Sequence, residues 1–216
     1  MSHRGALVLG IGNILLQDEG VGVVVALRLE SARLEAARSG AAPISLAGSI
    51  PADTRIVDGG TLGLDLLPMI GEASQVVIID AVNLGKAPGT VTVLHDDAVQ
   101  AALSGHVSPH QIGVGDLVAA ARLMGIMPAR LALIGIQPGT IAIGLELTEA
   151  VAAAVQVAAD LAVKELVDSR QPASRTAGGA ELGMAGGAAR GIAAGPAAGT
   201  SQLGDPIPAE AAAAGR

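Results

Sequence analysis

The sequence predicts an α/β fold, a three-layer α/β/α domain, and three observations carry that expectation. The apolar run Ala6–Leu9 meets the glycine turn Gly10-Ile11-Gly12 and then a long apolar-rich segment, which is the order strand, turn, helix. Gln75-Val76-Val77-Ile78-Ile79-Asp80-Ala81 holds four consecutive β-branched residues, as expected of a strand buried on both faces in a parallel sheet. Helical and extended patterns then alternate along the chain as far as residue 168.

Taken in order, residues 19–37 read as the first helix, ended by Ser39-Gly40. Ile44-Ser45-Leu46 is a possible strand start, and Thr54–Val57 is a short strand running into Asp58-Gly59-Gly60-Thr61, where adjacent glycines suggest a tight turn. Leu62–Ile70 is a short helix and 75–81 the clearest strand. Thr90–Leu94 follows as a strand suited to a sheet edge, and Asp96 or Asp97 caps a helix through Leu103. Ser108-Pro109-His110-Gln111 matches a capping box that opens a helix running to Met124 and stopping at Gly125. His110 would then sit in a first turn, where the helix dipole favours the neutral imidazole, a good ligand or base. Arg130–Ile136 is the next strand, 140–147 is irregular or strand-like, and Thr148 caps a last helix to Val167. Residues 1–169 are thus expected to form one domain. In 170–216, well over half the residues are Ala, Gly or Pro, and such a segment is expected to be a disordered tail.

Composition removes several function classes. The chain of 216 residues has no cysteine, so disulfides, thiolate metal sites and cysteine nucleophiles are excluded. Its net charge of −7 with no basic cluster argues against nucleic acid, which is bound largely through phosphate neutralisation. No apolar run of membrane-spanning length and no signal peptide occur, so a cytoplasmic protein with no membrane partner is expected. There is no Phe, Tyr or Trp, so the core must be filled by aliphatic side chains.

The first turn carries two acids, Asp18 and Glu19. A dinucleotide fingerprint there fails on spacing, because Leu15 occupies the third glycine position, and two carboxylates would repel a pyrophosphate. A plain structural reading makes Asp18 the helix cap and Glu19 a complement to the helix dipole. Asp80 is harder to explain as structure alone, because a carboxylate after Val-Val-Ile-Ile lies beside apolar packing. Glu19, Asp58 and Asp80 all fall near strand ends, and parallel strands would bring them to one edge. Asp58 equally suits an Asx-turn before Gly59-Gly60, and Asn13 either fixes its turn or meets a substrate backbone.

Six segments in order resemble one family, the endopeptidases that mature NiFe-hydrogenases. They are 10–22 (Gly-Ile-Gly-Asn-Ile-Leu-Leu-Gln-Asp-Glu-Gly-Val-Gly), Asp58-Gly59-Gly60-Thr61-Leu62-Gly63, Ile79-Asp80-Ala81, Ala87-Pro88-Gly89-Thr90, Ser108-Pro109-His110-Gln111 and Gly144-Leu145-Glu146-Leu147-Thr148. Together they cover roughly residues 5–168. The resemblance implies a twisted, mostly parallel five-stranded sheet and removal of a C-terminal extension from the hydrogenase large-subunit precursor after nickel insertion. It implies a metal-contacting trio of Glu19, Asp80 and His110, with the nickel carried by the precursor and other divalent metals able to substitute. Water would attack the scissile carbonyl with either the metal as Lewis acid or a carboxylate, Asp58 being the candidate, as base, and a monomer is expected. Neither H-E-x-x-H nor G-x-S-x-G occurs, which suits a protease whose metal arrives with its substrate. Two alternatives stand beside this: a maturation chaperone that binds nickel or the large subunit without cutting, and a nucleotide-binding Rossmann-type enzyme. The missing aromatics and the long tail depart from the family pattern but touch none of the trio.

Overall fold

A computed structural model describes residues 5–39, 50–103 and 113–168. Five strands form one sheet: β1 (Ala6–Ile11), β2 (Arg55–Gly60), β3 (Gln75–Ala81), β4 (Val91–His95) and β5 (Arg130–Ile136). Their spatial order is β2-β1-β3-β5-β4. The first four are mutually parallel, whereas β4 runs antiparallel to β5 along the outer edge, with Val91 opposite Ile136. The three inner strands are buried almost throughout and read as unbroken aliphatic runs; the edge strands β2 and β4 are only partly covered.

Helices cover both faces. On one face α1 (Val21–Ser39) and α5 (Glu149–Asp168) pack over Val8, Val77, Ile79, Ile134 and Ile136. On the other, α2 (Leu67–Glu72), α3 (Asp97–Leu103) and α4 (Val114–Leu123) cover Leu7, Leu9, Val76, Ile78 and Leu133. Alternating residues of each inner strand therefore feed two separate cores. Each buried Val, Leu or Ile contributes about 1.5–3 kcal/mol. The core manages without rings partly because α5 presents small side chains: Ala154, Ala158 and Ala162, one turn apart, are all buried and let the helix sit close.

Several sequence expectations change in detail. The first helix begins at Val21, after a 3-10 turn over Gln17–Gly20, rather than at residue 19. The strand at 55 continues through Asp58 and Gly59 to Gly60, and only Gly60 (φ +43°) takes the left-handed turn conformation. The helix expected from Ser108 is described from Val114, with Gly113 in the capping position and its N–H donating to the Asp116 carboxylate (3.1 Å). It ends as expected, with Gly125 at φ +68°. The Ser108–Gln111 box, the strand start at 44–46 and the 170–216 tail lie outside the described residues.

The strand order fixes where a ligand site belongs. From β1 the chain crosses through α1 to β2 on one side, then returns through α2 to β3 on the other. The switch point therefore lies between β1 and β3, and the crevice beyond their carboxyl ends is the place where open α/β sheets bind ligands.

Candidate active site

Glu19 follows β1 and Asp80 is the penultimate residue of β3, so the two acids flank the switch point. Both line one cavity of about 380 Å³, together with Gly12, Thr61, Val114 and Leu117. Close backbone packing sets Glu19. Gly12 has φ +134°, and a Cβ there would collide with the Glu19 carbonyl oxygen. A Cβ on Gly22 would strike the carbonyl oxygens of Ile11 and Ile79, so the start of α1 rests directly on the ends of β1 and β3. Gly12→Ala is expected to destabilise the fold by about 2 kcal/mol or more, from strain and collision together. Comparing the thermal midpoints of the two proteins checks this.

The electrostatics single out the pair. Burial pushes the Glu19 carboxyl above its ordinary value, only partly offset by the Asn13 backbone N–H. One of its oxygens, Oε2, is buried with no hydrogen-bond partner among the described residues. Burial first, and then the negative Glu19, raise Asp80 to about 7, against the lowering effect of the Ala81 N–H (2.8 Å). Two half-buried carboxylates with raised pKa values thus lie together at the switch point.

Asp18 behaves in the opposite way, and its role as a cap for its own helix is corrected. It is fully buried and faces the β5–α5 loop, accepting from the N–H groups of Gly139 (2.9 Å), Thr140 (2.9 Å) and Thr148 (2.7 Å) and from the Thr148 hydroxyl (2.8 Å). Burial pushes its carboxyl up, but the bonds from Thr148, Thr140 and Gly139 outweigh that and hold it below its ordinary value. Backbone bonds extend the tie: Gln17 N–H to Gly144 O (3.0 Å), Gly144 N–H to Leu15 O (3.0 Å) and Asp18 N–H to Thr140 O (3.3 Å). Gln17 sits at φ +50° within this tie, a strained conformation beside the carboxylates. Asn13 fixes its turn by accepting the Leu15 N–H on its side chain (3.0 Å).

The hydrogenase maturation protease family model (HycI) matches residues 45–165, more than half of the chain. The chain belongs to the hydrogenase maturation proteases. It is 35% identical to the hydrogenase 2 maturation protease of Escherichia coli over 76% of this chain and 91% of that one. It is 41% identical to the hydrogenase expression/formation protein HupD of Rhodobacter capsulatus over 74% and 70% of the two chains. Among solved structures it is similar to the hydrogenase maturating endopeptidase HybD of Escherichia coli, with a TM-score of 0.65 and 34% identity over 77% of this chain and 94% of that one. This maturation protease is therefore an endopeptidase, and its sheet is that of its relatives.

In this maturation protease, Glu19 and Asp80 come together, whereas Asp58 stands apart on β2, exposed, two residues before the cavity-lining Gly60. His110 lies outside the described residues, and among those described no group of three His, Asp or Glu is placed to hold a metal ion. His95 ends β4 and pairs with Glu165 (3.0 Å). No described helix is long and apolar enough to cross a membrane. Sequence reasoning missed the Asp18 clamp, whose partners lie 121 to 130 residues away. It also missed Gln137, a buried side chain that accepts the N–H groups of Leu84 (2.8 Å) and Lys86 (3.2 Å) and so shapes the loop after β3. The one available signal was the polar Gln137 closing an apolar strand.

Proposed function

We propose that this protease removes the C-terminal extension of the NiFe-hydrogenase large-subunit precursor, and that Glu19 and Asp80, completed by His110, recognise the nickel the precursor carries. The observation that supports this most strongly is the shared cavity of two carboxylates in which Glu19 Oε2 has no hydrogen-bond partner among the described residues. A buried, unpaired carboxylate oxygen is costly unless a proton or a cation meets it. Oxygen donors and a neutral imidazole suit a divalent cation of borderline hardness. As substrate cargo the nickel supplies charge neutralisation and polarises groups bound to it. Because cation binding displaces protons, the raised carboxyls of Glu19 and Asp80 make engagement weaken as the pH falls below about 7.

The protein's own residues would then do three things. Glu19 and Asp80 place the metal-bearing end of the precursor at the switch point. Apolar walls such as Val114 and Leu117 limit water around it. Asp58, exposed at the solvent side, takes a proton from the water that attacks the scissile carbonyl. Asp58→Asn is accordingly expected to lower kcat about a hundredfold while precursor binding persists. An unchanged kcat would assign that proton to the metal site instead.

The deciding experiment incubates the purified protease with nickel-loaded and nickel-free precursor and weighs both chains by mass spectrometry. Loss of the extension from the loaded precursor alone is expected. Cleavage of both, or of neither, would overturn the nickel-checking reading.

A further inference from the structure

Beside the carboxylate cavity, the chain shows solvent a surface that folding does not explain. Ile14, Leu15, Ile141, Ile143 and Leu145 are all exposed, Ile143 to 93% and Leu145 to 74%. These are five of the twelve exposed large hydrophobics among the described residues, yet they come from only two short loops. The loops are bound to each other through Leu15, Gln17 and Gly144, and the Asp18 carboxylate ties the same pair together. Their polar backbone groups are thus spent on each other, which leaves the aliphatic side chains outside. Ile141, Ile143 and Leu145 lie on either side of Gly144, the one residue of this bent loop that bridges to Leu16. Neither 12–17 nor 139–145 contains a charged residue, in a chain whose net charge is −7. An ordered, neutral, aliphatic ridge of this kind marks an interaction site.

We infer that this ridge is the docking surface for the large-subunit precursor, which seats an uncharged aliphatic stretch of its own surface there. The inference rests on the function proposed above. Continuity with the cavity selects this occupant: the ridge includes the turn 13–17, whose Asn13 N–H meets the Glu19 carboxylate, so whatever sits on it lies beside Glu19 and Asp80. A second copy of the chain in the same place would stand over the cavity and keep a protein substrate out. An anionic membrane surface would be repelled by the acidic chain, and no basic side chain occurs in either loop.

Ile143→Glu and Leu145→Glu test the inference, with Leu123→Glu as control, because Leu123 is exposed at the end of α4 remote from the cavity-lining Val114. Substitutions at such exposed positions leave the thermal midpoint near the native value. The two ridge variants are expected to raise the KM for nickel-loaded precursor about tenfold, with kcat within about twofold and the control unchanged. A native KM in both ridge variants overturns the proposal. So does a native dimer, seen by analytical ultracentrifugation, that Ile143→Glu dissociates without changing KM. Glu19→Gln is assayed alongside: full activity in that variant sinks the reading of the site but leaves the docking result standing. Should the native chain cleave no precursor, titration calorimetry with the same precursor decides, since binding weakened by Ile143→Glu supports the ridge and equal binding refutes it.

Discussion

Replacing Asp80 with asparagine is expected to abolish cleavage and, above neutral pH, to make the folded chain more stable than the native one. Both effects have one source. In an unfolded chain an aspartate ionises near pH 4. In the fold, burial and then the neighbouring Glu19 charge raise Asp80 to about 7, against the single N–H of Ala81. Between those two pH values the folded state holds the proton more tightly than the unfolded state. Folding is therefore favoured toward pH 4, weakens as the pH rises to 7, and carries the full penalty above it. Asparagine keeps the shape and carries no charge, so its thermal midpoint should exceed the native one at pH 8 and match it near pH 4. The activity loss follows from the role proposed for the carboxylate. Losing an outer partner of a metal ligand already costs 10–100-fold, so removing a ligand should cost at least about a hundredfold. Melting curves at the two pH values and a precursor cleavage assay check the pair of outcomes. A less stable asparagine variant at pH 8 would show that the charge is compensated.

Asp18→Ala is expected to produce the largest loss of stability, about 4 kcal/mol at neutral pH. The carboxylate is fully buried and accepts four hydrogen bonds, three of them from backbone amides that would lose this acceptor. For a chain of this length such a loss corresponds to a fall of roughly 8–16 °C in thermal midpoint. Burial alone would raise the Asp18 pKa, but the bonds from Thr148, Thr140 and Gly139 carry it below its ordinary value. The sign is therefore opposite to that of Asp80: the stabilisation is complete above the unfolded value near pH 4 and disappears as the pH falls through the lower folded value. Urea unfolding at pH 7 should separate native and variant chains widely, and at pH 2 the gap should narrow. A constant gap across that range would mean that packing rather than charge is what Asp18 supplies.

The contrast between these adjacent acids shows what was legible in the chain. β3 was readable because a strand buried on both faces must be aliphatic throughout, and Val76–Ile79 satisfies that locally. The same logic located β1 and β5, the run Thr90–Leu94 read as an edge strand, and alternation of strands with helices pointed to the layered fold. Asp80 could be singled out because a carboxylate closing such a run has no local explanation, and Glu19 because two acids follow a glycine turn.

Tertiary structure alone decided which acid does what. Asp18 and Glu19 are neighbours with the same local signals, and helix-capping rules assigned Asp18 to its own helix. The fold instead turns Asp18 toward donors more than 120 residues away and Glu19 toward Asp80. Local rules fail there because a buried carboxylate goes where amide donors are gathered, and the β5–α5 loop gathers them only after the sheet has formed. Asp58 shows the same limit: it follows an apolar run as Asp80 does, yet it lies within an edge strand and stays exposed, because strand order and not sequence determines which strand ends surround the switch point. Thus the sequence by itself determined the elements, the fold class and the set of candidate acids, since those depend on short-range pattern and burial. The strand order, the pairing of Glu19 with Asp80, the Asp18 clamp and the aliphatic ridge were decided by tertiary structure, because each depends on groups that meet only across the folded sheet.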